Sequence, residues 1–196
     1  MAGTVAAYYS IGTEPDTRGL VYALWKRGSY VLLPVLRPDG DLDWASYEGP
    51  DSLVPGPRGL LEPGEPPRGP GAVARADVVL APALAVDRAG NRLGRGGGSY
   101  DRALARVGPL VPLIALVYEQ IRRAFLVTAA RDVGEAHTIL TGYVEVESYH
   151  RALQVRLEHG IMVAPQFSTQ LMLIVIITTA MRQIGEAVVT ICQTTI

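Results

Sequence analysis

Short apolar runs alternate with amphipathic or turn-forming stretches along the first part of the chain. Val5-Ala6-Ala7-Tyr8-Tyr9 is an apolar run closed by turn-forming residues, which predicts a buried strand. Asp16 or Thr17 then caps a predicted helix reaching about Arg27, with Leu20, Ala23 and Leu24 on one face and Gly28 ending it. Residues 30–36 form the next predicted strand, followed by a tight turn at Pro38-Asp39-Gly40. From residue 50 to 71 prolines are too frequent for regular structure, so this stretch reads as a long loop, ordered only where it packs. Residues 76–81 and 113–118 are further predicted strands, with a short helix over 100–107 between them. Strands spaced by helices predict an α/β fold with a mostly parallel sheet and helices on both faces.

The pattern changes in the C-terminal part. Val146, Tyr149, Leu153 and Leu157 lie near helical spacing and predict an amphipathic helix. Residues 171–177 and 187–191 are apolar and rich in β-branched side chains, which predicts two strands. The run from 171 is shorter than the roughly 18 to 20 residues of a spanning helix, so a buried element is expected and no membrane contact. Composition shifts along with the pattern. Every proline except Pro165 lies at or before Pro112, and every isoleucine except Ile11 lies at or after Ile114. The expected organisation is one α/β domain over 1–142, with an atypical segment over 143–196 packed on that domain or on a partner.

Length and composition narrow the function classes. The 196 residues suffice for an ordinary domain, and 48% hydrophobic with 19% charged residues marks a globular chain. A net charge of −1 gives no overall attraction to nucleic acid or anionic lipid, so no nucleic-acid partner is expected. The lone cysteine, Cys192, excludes an internal disulfide framework and a cysteine-rich zinc site, and it is expected to be a buried thiol. The histidines, His137, His150 and His159, are too scattered for a metal pair. No secretory pattern is read in Met1-Ala2-Gly3-Thr4-Val5, and a cytoplasmic setting is expected.

The most informative segment is Asn91-Arg92-Leu93-Gly94-Arg95-Gly96-Gly97-Gly98-Ser99-Tyr100-Asp101-Arg102, placed after a strand and before a helix. Consecutive glycines let backbone N–H groups converge on an anion without Cβ obstruction. Arg92, Arg95 and Arg102 add positive charge, and Asp101 offers a carboxylate to a metal ion. No Gly-Lys-Ser/Thr ends the loop, and Ser99 stands at the third glycine position of the dinucleotide fingerprint. The reading is a phosphate-binding loop of neither common type.

The wider segment from Leu84 to Arg102 resembles the signature of the 5-formyltetrahydrofolate cyclo-ligases. Two further stretches match that family in order and spacing: Gly12-Thr13-Glu14-Pro15-Asp16-Thr17, and Gly59-Leu60-Leu61-Glu62-Pro63 within the proline-rich stretch. The resemblance covers roughly residues 4–119. It implies a three-layer α/β sandwich and the ATP- and Mg²⁺-dependent conversion of 5-formyltetrahydrofolate to 5,10-methenyltetrahydrofolate, with release of ADP and phosphate. It further implies that Arg92, Gly94, Arg95, Gly96, Gly97, Gly98, Ser99, Tyr100 and Asp101 hold the nucleotide. Arg95 and Tyr100 are the implied catalytic residues, Asp101 the metal ligand, and Tyr8 and Glu14 the folate contacts. For Glu14 the alternative is an acid at a helix N-terminus, and for Asp87 the choice lies between orienting the arginines and a plain turn. Trp44 and Glu62 are candidates for the folate pocket, against core packing and surface charge.

Three departures from the family accompany the match. Family members begin with a further helix carrying basic residues, whereas this sequence opens almost at the first strand, with Lys26 as its single lysine. Ser99 stands where the family has an aromatic residue. The family's closing proline and His-Asp pair are represented at most by Asp132 within residues 126–141. The expectation is a monomer, with a dimer through the tail as the other possibility. A truncated or catalytically weak nucleotide- and folate-binding homologue, without significant turnover, is the alternative to an active enzyme.

Overall fold

The structure is a computed structural model that describes residues 3–12, 14–87, 89–117 and 151–193, the last stretch apart from 153, 158, 164, 165 and 167. The chain divides into two compact units, Met1–Tyr118 and Glu119–Ile196.

In the first unit the elements run β1 (Thr4–Ala6), α1 (Arg18–Lys26), β2 (Tyr30–Leu36), β3 (Leu42–Ser46), β4 (Leu53–Pro55) and β5 (Leu61–Pro63). They continue with β6 (Val78–Ala83), β7 (Ala85–Val86), β8 (Arg92–Leu93), α2 (Ser99–Leu104) and β9 (Leu113–Val117). A five-stranded sheet of order β3-β2-β1-β6-β9 forms the centre. It is parallel except at the edge, where β3 pairs antiparallel with β2. The mostly parallel α/β architecture expected from the sequence is therefore present.

Successive strand residues point to opposite faces, and both faces are buried. On one face Ala6, Leu32, Trp44 and Val79 pack with Ala72 and Val73 of a 3₁₀ segment and with Ala103 of α2. The intervening residues Val5, Val31, Leu33, Ala45, Val78 and Leu80 are buried on the other face, as are Leu20, Val21 and Leu24 of α1. The sheet is thus the middle of three layers. Full burial of about ten branched aliphatic side chains, at roughly 1.5–3 kcal/mol each, is the main stabilising contribution.

Three expectations need correction here. The first strand ends at Ala6, not Tyr9. Ala7 N–H makes a last bond to the Leu32 carbonyl at 2.9 Å, and the next carbonyl, that of Tyr8, accepts from the Thr17 hydroxyl at 2.7 Å instead. The predicted turn at Pro38-Asp39-Gly40 leads into β3, which the sequence reading left out. The proline-rich stretch also holds regular structure: β4 and β5 pair antiparallel, with Leu53 opposite Pro63 and Pro55 opposite Leu61. Prolines open each of its 3₁₀ turns, Pro50–Ser52, Pro57–Gly59 and Pro70–Arg75, where a missing N–H costs nothing.

In the second unit the described part of residues 151–163 is helical, with Leu157 buried. Val146, Tyr149 and Leu153 of the predicted amphipathic helix lie outside the described residues. The two strands expected at 171–177 and 187–191 are instead one helix, α3 (Ser168–Gln193). Two of its threonines satisfy their hydroxyls on the helix itself: Thr178 donates to Ile174 O at 2.8 Å, and Thr190 to Glu186 O at 3.0 Å. Leu173 and Ile177, four apart, are buried, whereas Met172 is half exposed. That is a helical period which content in β-branched residues concealed. Gln154 donates to Thr179 at 3.1 Å, and a side chain at Gly160 would press on Leu171 at 3.2 Å, so the two helical stretches meet closely. His159 is exposed, His137 and His150 lie outside the described residues, and so does the side chain of Cys192. Among the described residues no helix is long and apolar enough to cross a membrane.

Candidate functional site

Strand β1 lies between β2, reached first by the chain, and β6, reached later on its other side. Such a reversal of strand order leaves a crevice at the carboxyl ends of the strands. A cavity of about 430 Å³ opens there, walled by Glu14 after β1, Leu36 of β2, Pro82 of β6 and the loop from Gly94 to Asp101. A side pocket of about 90 Å³ adjoins it, lined by Tyr8, Glu14, Glu62 and Tyr100. Glu14 and Tyr100 border both chambers.

The glycine loop is held from two sides. Arg92, nearly buried, donates to the Pro82 carbonyl at 3.0 Å and pairs with the carboxylate of Asp101. Arg102 donates to the Gly40 carbonyl at 2.6 Å, and Ser99 Oγ donates to the same carbonyl at 2.5 Å. These bonds fasten the loop to the turn between β2 and β3. Two glycines make this bracing possible. A Cβ at Gly94 would sit 2.7 Å from Arg92 Nη1, and one at Gly98, where φ is +69°, 2.8 Å from Arg102 Nη1. Among the described residues, nothing accepts the backbone N–H groups of Gly96, Gly97, Gly98, Ser99 and Tyr100. Arg95 is exposed on the same wall and has no ionic partner among the described residues. Of the three arginines read as loop cations, Arg92 and Arg102 are therefore structural braces, and Arg95 is uncommitted.

The segment after β1 is organised by side-chain hydrogen bonds. Ser10 N–H donates to Thr17 Oγ1 at 3.0 Å, Thr17 N–H to Ser10 Oγ at 3.2 Å, and Ser10 Oγ to Asp16 at 3.0 Å. Glu14 accepts from Ile11 N–H at 3.1 Å. Because α1 begins at Arg18 with no acid in its first turn, the alternative of a helix-terminal acid does not hold for Glu14. Tyr8 is buried and donates to Pro15 O at 3.1 Å. Burial, then the charges of Glu14 and Asp16, raises its hydroxyl above the ordinary tyrosine range.

Tyr100 joins the two halves. Its ring packs on the core and lies 5.8 Å from the Arg92 guanidinium, while its buried hydroxyl has no partner among the described residues. Burial first, with Glu14 and Tyr8 adding to it, raises this hydroxyl as well, so it is a neutral donor at ordinary pH and not a base.

The site residues read from the sequence thus surround one cleft: Tyr8, Glu14, Arg92, Gly94, Arg95, Gly96, Gly97, Gly98, Ser99, Tyr100 and Asp101. Glu62 borders the side pocket too, with its carboxylate accepting from Leu36 N–H at 2.8 Å. Trp44 does not; it is fully buried in the core. Asp87 takes the turn role, accepting from the N–H groups of Ala89 at 2.9 Å and Asn91 at 2.8 Å. The Asn91 side chain also donates to it at 2.8 Å, and these bonds, that one foremost, hold its carboxyl below the usual range. Thr13 and Asp132 lie outside the described residues. The sequence reading missed Arg58, which projects into the cleft wall from the turn between β4 and β5. Its signal was present as an arginine just before the Gly59-Leu60-Leu61-Glu62-Pro63 stretch.

Residues 1–123 match the 5-formyltetrahydrofolate cyclo-ligase family. The chain belongs to that family. It is 40% identical over 141 residues to the 5-formyltetrahydrofolate cyclo-ligase of Mycolicibacterium smegmatis, covering 69% of this chain and 72% of that protein. The cyclo-ligase of Escherichia coli is 42% identical over 106 residues, 53% of this chain and 58% of the relative, so the match spans little more than half of that protein. The NMR structure of Aquifex aeolicus 5,10-methenyltetrahydrofolate synthetase aligns with a TM-score of 0.49 at 30% identity, covering 60% of this chain and 57% of that one.

Proposed function

We propose that this cyclo-ligase family member converts 5-formyltetrahydrofolate and ATP to 5,10-methenyltetrahydrofolate, ADP and phosphate. A formamide oxygen is a poor leaving group. Its attack on the γ-phosphorus expels ADP and turns it into a phosphate ester, after which N10 bonds to the formyl carbon, its proton passing to the departing phosphate or water, and phosphate leaves with the oxygen. Such chemistry asks the protein for positioning and charge neutralisation. In this reading the open N–H groups from Gly96 to Tyr100 and the side chain of Arg95 take the phosphates, while Tyr8 and Glu14 meet the folate. Tyr100 stands between the two, bordering both chambers, with a buried neutral hydroxyl that has no partner among the described residues.

Mg²⁺ fits this donor set in a limited way. Asp101 is mostly exposed and one of its oxygens pairs with Arg92, leaving the second for a cation. Among the described residues no three His, Cys, Asp or Glu side chains converge, so the remaining oxygens must come from phosphate and water, as Mg²⁺ prefers. When bound, the ion neutralises phosphate charge.

The observation that carries the reading is the adjoining pair of chambers, with phosphate-type donors on one wall, Glu14 and Tyr8 on the other, and Tyr100 bordering both. The test follows methenyltetrahydrofolate absorbance on adding ATP and magnesium to the purified chain. Turnover dependent on both supports the reading; binding of ATP and folate without turnover returns the chain to the ligand-binding alternative.

A further inference from the structure

Arg58 stands in an unfavourable backbone conformation. It is the single non-glycine residue at positive φ among the described residues, with φ 57° and ψ 24°. Gly59 follows at φ 76°, and Leu60 N–H closes the turn on Pro57 O at 3.0 Å. Two consecutive left-handed residues make this the hairpin turn whose first central position suits asparagine, aspartate or glycine. Arginine there is a local cost without a local benefit, because its side chain has no ion pair or hydrogen bond among the described residues. Strain held at a cleft wall is grounds for asking what the side chain does.

The turn is also fixed in place. Glu62 of β5 bonds the last strand residue of β2, Leu36, and Gly56 lies so close to the Glu62 carboxylate that a Cβ would meet it at 2.6 Å. Arg58 is therefore delivered to the larger chamber by a hairpin locked to the sheet. The same hairpin, through Leu60, Leu61 and Glu62, walls the side pocket. The phosphate-type donors come from a different segment, residues 94–101.

We propose that Arg58 is a specificity residue that receives the glutamyl carboxylates of the folate. The proposal rests on the cyclo-ligase reading. A folate bound with its ring system beside Glu14 and Tyr8 extends its other, anionic end through the larger chamber toward solvent, where Arg58 is exposed. A guanidinium offers paired donors matched to carboxylates.

The test is calorimetric titration of the full chain with 5-formyltetrahydrofolate, with the formylated tetrahydropteroate that lacks the glutamyl group, and with ATP–magnesium. Arg58→Asn should weaken folate binding about tenfold, the scale of one charge-assisted hydrogen bond. Binding of the pteroate and of ATP should stay within about twofold in the same variant. The melting temperature should hold or rise, since asparagine suits the turn, and Arg58→Gly, unstrained at this φ, should bind in the same way. Equal weakening of folate and pteroate, weakening of ATP, or no change in folate binding would each overturn the proposal. A wild-type chain that binds no folate at all would sink the cyclo-ligase reading along with it.

Discussion

Arg92 and Asp101 form an ion pair across the glycine loop, with Arg92 nearly buried and Asp101 mostly exposed. The guanidinium also bonds the Pro82 carbonyl at 3.0 Å, so one side chain ties the end of β6 to the first turn of α2. The two contacts use different nitrogens of the guanidinium fork, a spacing that the single nitrogen of a lysine does not reproduce. Arg92→Lys should therefore loosen the loop and weaken ATP binding about tenfold, as for a lost charge-assisted hydrogen bond. Calorimetry reads the affinity, and protection of the Gly96 to Tyr100 amides from hydrogen exchange on ATP addition reads the loop.

Arg95 lies on the same wall without an ionic partner among the described residues, so its removal leaves no buried group unpaired. Arg95→Ala should keep the melting temperature within a degree or two, since an exposed charge contributes little to stability. It should lower turnover by one to several orders of magnitude, roughly the loss of one charge partner in phosphoryl transfer. An assay at saturating ATP, run beside thermal unfolding, separates the two effects.

The bracing of the loop has a pH signature. Arg106 donates to both carboxylate oxygens of Asp41, at 3.0 and 2.6 Å. These bonds hold the Asp41 carboxyl below the usual range. A carboxyl lowered in the folded state stabilises fully above its unfolded value of about 3.9 and loses that contribution as the pH falls through the folded value. Asp41→Asn should thus melt below the wild type at neutral pH by about 1 kcal/mol or less in stability. The difference should shrink as the pH drops below about 4, and melting curves at neutral and acidic pH will show whether it does.

The parts of this protein legible in its sequence were those set by local chemistry. The run Tyr30–Leu36 is a strand because it is apolar between glycine-bearing turns, and its apolar pattern has the same bounds as the strand itself. Gly94, Gly96, Gly97 and Gly98 signalled a loop that brings N–H groups together, and Arg95 was singled out beside them. Partnerships set by long-range geometry were not legible. Nothing local tells that Arg102 will reach Gly40 or that Arg92 will be buried against Pro82. For Trp44 the choice between folate pocket and core packing stays open in the sequence, and its alternation on β3 settles it for the core. In α3 the β-branched content favoured strands, while the four-residue spacing of Leu173 and Ile177 carried the true period.

Glu14 gives the sharpest separation between the two ends of the cleft. Its carboxylate accepts from Ile11 N–H at 3.1 Å and borders both chambers, at the end of the segment that follows β1. A glutamine can accept that same bond through its amide oxygen, so Glu14→Gln should fold with an unchanged melting temperature. What it removes is the negative charge. If that charge accepts from the N–H groups of the folate ring system, folate affinity should fall by about ten- to a hundredfold, the range for hydrogen bonds to charged groups. ATP affinity should move less than about twofold, because the phosphate-type donors lie on the 94–101 wall. Parallel titrations with each ligand decide it: equal losses for both would make Glu14 a structural brace of the loop after β1, and a loss confined to ATP would reverse the assignment of the two chambers.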